Sequence, residues 1–517
     1  MLRLTALFAL ILGISGISAA DWPQFQHDAA RTGRTGEAVA PPYRARWIWV
    51  GPQKTLRNRD SRSGDGAWTD DLTPRRGMRL DLPAEVAHSF AGSMQPIVLD
   101  QTVFIADAQS RVYAVNLDDG STRWQADNPG GSLWPGVAAD NIVAFASLLG
   151  YVTAYDASTG RRLWQVDTGR TISSAPALVD GIIYVANQGG YVYALRLADG
   201  TPLWRSSRLG APVQGGLCVA NGRVYLGTDA MEAMALDARD GRIVARQKLT
   251  GQSFRFTWPV AAGSRIIFTT VPVICPGSEY VNDPVLGAGR KLTRWPEPPG
   301  HPSPQAEEQA MLEWLAGEGR DWEQFFALDA QTLSKDYIIA TGATEGCGAS
   351  PNPPALDAQG RPLLWWATAY PTLTSIGSFG THFSMDISAV DLATGRRILI
   401  DNGRHSGQST ETDNLFALTV GGEWVYLRQN FRGTAAINLR TSQQQWISKT
   451  VHEDGQHNPA AVYYGSSGAK GPDGEPIIGF LPRGPRSPHG RTAPAIAGGR
   501  LLFTEGFGAL TCVESAR

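Results

Sequence analysis

The side chains best able to do chemistry stand in a pattern, each just ahead of a short hydrophobic run. Gln95, Trp134, Ser173-Ser174, Gln214, Arg255 with Trp258, Asp413-Asn414 and Arg491-Thr492 hold such positions, and His382 does so less regularly. Together they offer permanent cations, aromatic faces and a carboxylate beside an amide. Cations and rings suit a small anionic ligand or an acidic side chain. Carboxylate and amide oxygens suit Ca2+. Asp413, or another carboxylate at the same level, could also serve as general acid or base in a hydrolase.

Other chemistries lack their residues. The chain has no Cys-x-x-Cys-His, no adjacent Cys pair, no Gly-x-Ser-x-Gly, no His-Glu-x-x-His and no P-loop. Of the eight His, five fall between His382 and His489, and none has metal-ligand spacing on one helix, so no metal site is assigned. Cys275 and Cys347 flank an insertion and are candidates for a disulfide that staples it. Cys218 and Cys512 lie in strand patterns and read as buried thiols.

The elements that must position these residues come from a repeat. Trp124, Trp164 and Trp204 recur at a spacing of 40, each preceded by a similar segment, as in Ala154-Tyr-Asp-Ala-Ser-Thr-Gly160. Fainter copies begin at Ala235, Ala327, Ala389 and Ala436, the last leading to Trp446. Within one copy, Pro176–Val179, Ile182–Ala186, Tyr191–Leu197 and a run ending at Trp204 read as four short strands separated by turns. Four-stranded units at a period near 40 predict a β-propeller, with Trp124, Trp164, Trp204 and Trp446 docking between adjacent sheets. An eighth unit, Ala493 to Glu514, stops before its fourth strand. Tyr43 to Val50 supplies the missing strand, so the fold class is all-β, an eight-bladed propeller whose last blade is closed from the N-terminus.

Eight units of about 40 need about 320 residues, well short of the 517 present. The excess is assigned to insertions near 51–92, 275–323, 370–381 and 449–490 of one propeller domain spanning 21–517. Gln305 to Leu315 reads as a short amphipathic helix in the second insertion. Met1 to Ala20 has a basic start, an apolar run and small residues before Asp21, the pattern of a signal peptide cleaved after Ala20. That predicts a periplasmic or secreted protein without a membrane span, and without a lipid anchor because the first Cys is Cys218. Lys+Arg 46 against Asp+Glu 48 gives no basic field for nucleic acid or a membrane surface. Four Cys in this length exclude a disulfide scaffold, and hydrophobic residues at 42 % allow a large core.

Ala154-x-Asp156-x-x-Thr159-Gly160-x-x-x-Trp164 resembles the tryptophan-docking motif of the pyrroloquinoline quinone (PQQ)-like propellers. Asp21-Trp22-Pro23-Gln24-Phe25, with His27-Asp28 and Thr32-Gly33, resembles the opening segment of their secreted members. The resemblance implies one of three functions. Some members are PQQ-dependent alcohol or sugar dehydrogenases, in which Arg255, Arg491, Trp134 or Trp258, and Asp413-Asn414 would hold PQQ with Ca2+. Others bind no quinone and act as binding or scaffold propellers toward a protein or polymer partner. A third branch is hydrolytic. The absent haem motif and Cys pair favour the scaffold expectation over the dehydrogenase.

Overall fold

The computed structural model describes residues 21–41, 43–49, 51–52, 55–57, 94–107, 110–255, 257–271, 281–283, 287–290, 303–340, 353–373, 379–409, 416–429, 433–449, 494–504 and 510–515. The expected leader, the Cys275 and Cys347 candidates, Asp413-Asn414, Arg491-Thr492 and 450–490 lie outside these residues.

Eight sheets form the blades of a propeller. Blade three is typical: Ala177–Val179, Ile182–Ala186, Val192–Arg196 and Pro202–Arg205 pair antiparallel in order. Its first turn, Asp180-Gly181, has φ of 49° and 71°, a left-handed pair that suits a two-residue hairpin. Innermost strands of three residues head blades one to five and blade eight, and each is largely buried around the central channel. The loops leading into the innermost strands and the turns between second and third strands share one face, called the upper face below.

Each docking tryptophan joins its blade to the next. Trp124 Nε1 donates to Ala157 O at 2.8 Å, Trp164 Nε1 to Leu197 O at 2.8 Å and Trp204 Nε1 to Ala238 O at 3.0 Å. Each indole also lies over the turn glycine of that neighbour. A Cβ at Gly160, φ 72°, would stand 2.6 Å from the Trp124 ring, so the motif needs glycine for both conformation and space.

The last blade closes as the sequence predicts. Ala495–Ala497, Arg500–Thr504 and Leu510–Ser515 are joined by Tyr43–Trp49, which pairs antiparallel from Tyr43↔Ser515 to Trp49↔Leu510. Trp47 then docks on blade one through Nε1 to Leu117 O at 3.0 Å, which completes the ring. Thr55–Arg57 adds a fifth strand outside it, so part of the 51–92 insertion belongs to the sheet.

Of the expected 370–381 insertion, the described residues 370–373 and 379–381 lie in two paired strands, Pro362–Leu373 and Phe379–Val390, whose register runs to Leu373↔Phe379. With Arg397–Ser409 alongside, three strands of 12, 12 and 13 residues rise past the upper face. The 275–323 insertion contains the expected helix, α1, at Pro304–Ala316, capped by Ser303 and followed by a 3-10 turn. Its Met311 and Leu315 pack with Ile338 and Trp322 beside blade five. Glu308 accepts from Arg397 N at 2.9 Å, so the helix also clasps blade six. Cys218 and Cys512 are buried free thiols, and burial pushes Cys218 up to about 12.

Candidate functional site

The N-terminal segment runs through the central channel and decides what kind of site the propeller can offer. An innermost strand has a bare edge toward the axis, and its N–H groups need acceptors. Asp21 to Thr35 supplies them blade by blade. Val98 N donates to Trp22 O, Ala138 N to Pro23 O, Val219 N to Ala29 O, Ala261 N to Ala30 O, Leu356 N to Thr32 O and Val420 N to Gly33 O, all within 2.7–3.0 Å. In blade three the Gln24 side chain acts like a strand, accepting from Leu178 N at 2.9 Å and donating to Leu178 O at 3.1 Å. Seven blades are thus visited in order along one stretch of chain. Glu37 then accepts from Gly499 N in blade eight.

Arg31 anchors this hub. It is fully buried. Its guanidinium donates to Leu217 O at 2.6 Å, Phe25 O at 2.7 Å and Pro176 O at 2.6 Å. Burial lowers its pKa to about 10. Asp28 accepts from Thr32 N at 3.0 Å and Thr32 Oγ1 at 2.5 Å, with His27 Nδ1 3.7 Å away. Burial works against the Asp28 charge, but the nearby His27 ring and the hydrogen bonds from Thr32 outweigh it and hold the carboxyl below its ordinary value. Sequence reasoning found the segment but not this role. Ala29, Ala30 and Gly33 were the available signal, because small residues let the backbone come close to the innermost strands at those points. A Cβ on Gly33 would meet Gln26 at 2.5 Å.

Several residues expected to line the funnel pack on the hub. Phe25 lies edge-on to Trp134 at 5.1 Å and Trp258 at 4.6 Å, and the two indoles, from blades two and five, are 6.0 Å apart. They are 3 % and 2 % exposed and share one apolar cluster. Gln95 accepts from Trp22 Nε1 at 3.1 Å and Gln26 N at 2.8 Å. Trp134 Nε1 donates to Ser173 O, and Ser173 Oγ accepts from Gln188. Ser174 Oγ donates to Ala186 O within blade three. His382 is placed by its backbone in the blade-six hairpin, opposite Tyr370 and Gln408.

Gln214 and Arg255 are brought together by a residue the sequence did not single out. Asp229 accepts from Gln214 Nε2 and lies 3.5 Å from Arg255 Nη2. All three are partly exposed on the upper face. Arg255 Nε and Trp258 Nε1, three residues apart, are buried donors with no acceptor among the described residues. This corner can receive an acceptor-bearing group, and it carries both charge signs. Among the described residues no three His, Cys, Asp or Glu side chains converge as metal ligands.

Comparisons agree with the fold. The sequence family described as outer membrane protein assembly factor BamB matches residues 32–132, 108–211, 148–255 and 188–280. No curated protein matches the chain. Among solved structures, quinohemoprotein alcohol dehydrogenase from Comamonas testosteroni is 14% identical, with TM-score 0.51, over 96% of this chain and 81% of that one. A quinohemoprotein alcohol dehydrogenase from Pseudomonas putida HK5 is 13% identical, with TM-score 0.48, over 83% and 73%. BamB from Moraxella catarrhalis is 14% identical, with TM-score 0.38, over 64% and 76%. At such identities the likeness concerns the fold alone. No described helix is long and apolar enough to cross a membrane.

Proposed function

Because the chain is an eight-bladed β-propeller of PQQ-like repeats, we propose that it is an exported binding or scaffold protein. Its upper face engages a protein or polymer partner, and the Arg255 corner receives an acidic side chain or a small anionic ligand. The observation that carries this reading is the filled channel. A quinone needs an open aromatic face to lie on, whereas Trp134 and Trp258 are buried against Phe25. The described residues therefore do not fit PQQ, and Asp413-Asn414, the expected Ca2+ ligands, lie outside them. The matched family, described as an assembly factor, also favours a scaffold.

The test is reconstitution with PQQ and Ca2+, followed by dye-linked assays on a panel of alcohols and sugars. No dye reduction above the quinone-free control is expected, and turnover would overturn the scaffold reading. A second measurement addresses the corner itself. Arg255→Ala should weaken binding of a glutamate-rich probe peptide by about tenfold or more, the scale of one charge-assisted hydrogen bond. Tm should hardly change, because Arg255 belongs to neither the hub nor a docking motif. A variant that loses stability yet binds the peptide fully would make Arg255 structural.

A further inference from the structure

We propose that the upper rim of blade three, with the loop leading from it to the Arg255 corner, binds an acidic, extended segment of a partner polypeptide that also carries a large apolar residue. The proposal rests on the scaffold reading and names the chemistry of the partner. Arg170, Arg205 and Arg208 surround the upper turn of blade three, and all three are exposed. A Cβ on Gly189 would stand 3.0 Å from Arg170 Cγ and 3.3 Å from Tyr191 Cδ2, so the bare glycine lets the Arg170 stem lie beside the Tyr191 ring. Arg205 Cζ sits 5.1 Å from the centre of the same ring. Leu209 N donates to Gly190 O at 2.8 Å, which sets Arg208 next to this turn. Leu149, 61 % exposed, borders the group from blade two: a Cβ on the next residue, Gly150, would stand 2.5 Å from Arg170 O.

Among the described residues no carboxylate pairs with any of the three arginines. Arg170 donates to Gly169 O at 3.2 Å, and Asp167, its nearest carboxylate in the sequence, is taken by Gly169 N at 2.7 Å. Exposed arginines of neighbouring blades are neutralised instead: Arg111 meets Asp127 at 2.6 Å in blade one, and Arg246 meets Glu232 at 3.6 Å in blade four. In a chain of net charge −2, three uncompensated guanidiniums around one turn make a local positive field. Their planar forks suit carboxylates. The loop from Arg205 to Gln214 carries the surface onward. It rests on blade three, where a Cβ on Gly190 would meet Ala211 O at 2.7 Å, and then on blade four, where Pro212 O accepts from Asp229 N at 2.9 Å. Gln214 ends it at Asp229, beside Arg255. Asp229 offsets Arg255 there, so the rim supplies most of the free positive charge. Leu149 favours a polypeptide over a polyphosphate, because burying it takes an apolar side chain.

The probe is a capped, fluorescently labelled peptide with one central Leu among Glu residues. Its binding to the full-length protein is followed by anisotropy at about 0.05 M salt, where surface charges are least screened. Arg170→Ala/Arg205→Ala/Arg208→Ala should weaken binding at least tenfold. Tm should stay unchanged, because these side chains hold no ion pair in the fold. Leu149→Ser should weaken binding about threefold. A peptide with Gln in place of Glu should not bind, and raising the salt to about 0.5 M should weaken the parent far more than the triple variant. Two results would overturn the proposal: a triple variant that binds as tightly as the parent, or a polyphosphate of equal charge that binds as tightly as the peptide. Binding lost in Arg255→Ala but kept in the triple variant would remove the rim and leave the scaffold reading standing.

Discussion

Arg31 puts a positive charge near the axis and surrounds it with carbonyl oxygens. A Met side chain of similar length would leave those carbonyls unpaired in a dry site, at about 1–3 kcal/mol each. Arg31→Met should therefore destabilise the fold by about 3 kcal/mol or more, measured by urea unfolding. A loss under about 1 kcal/mol would mean that the hub does not depend on it. Asp28 makes a pH-dependent contribution. Its folded pKa is depressed, so its carboxylate stabilises the fold above the unfolded value of about 3.9, and that contribution is lost as pH falls through the folded value. Asp28→Asn should lower Tm at pH 7, and the gap should close in acid. Asp21 and Glu37 act in the opposite sense, because burial raises both. A Tm gap for Asp28→Asn that stays constant down to pH 3 would contradict the assignment.

The docking contact is the element that the sequence displayed most openly. Trp and Gly recur in register, and each pair forms one hydrogen-bonded stack between blades. Trp164→Ala should cost about 2–4 kcal/mol, somewhat below the range for fully buried aromatics because the ring is only partly buried. Chemical denaturation of the variant would show it, and a change under about 1 kcal/mol would separate docking from stability. Where the Trp is missing, the repeat pattern does not point to the substitute. Tyr337 OH donates to Leu392 O at 2.7 Å and its ring lies over Gly395, so a phenol from blade five does the work of an indole. Between blades four and five, Tyr225 OH reaches Ala330 O at 2.8 Å from a different strand. Such replacements keep the bond and change the residue, which a repeat search cannot see. The hub was hidden for a related reason. It has no period of its own, because each of its residues meets a different blade. Asp229 was hidden because only the fold sets its turn beside Arg255.

At the scale of the whole molecule, closure depends on the two ends of the chain. Removing Tyr43–Trp49 would leave Leu510–Ser515 without its partner and blade one without Trp47. The deletion variant should lose its single cooperative transition in calorimetry, and one that melts like the parent would show that the ring does not need this strand. Repeat proteins ordinarily gain or lose units by duplication, since each unit touches only its neighbours. Here the channel segment breaks that freedom. Successive residues from Trp22 to Gly33 are matched to successive blades, so a ninth blade would find no acceptor and a missing one would shift all later pairings. The segment works as a tally: the stretch from Trp22 to Glu37 at the start of the ring records how many blades must follow, and the copy number is fixed by chain that contains no copy at all.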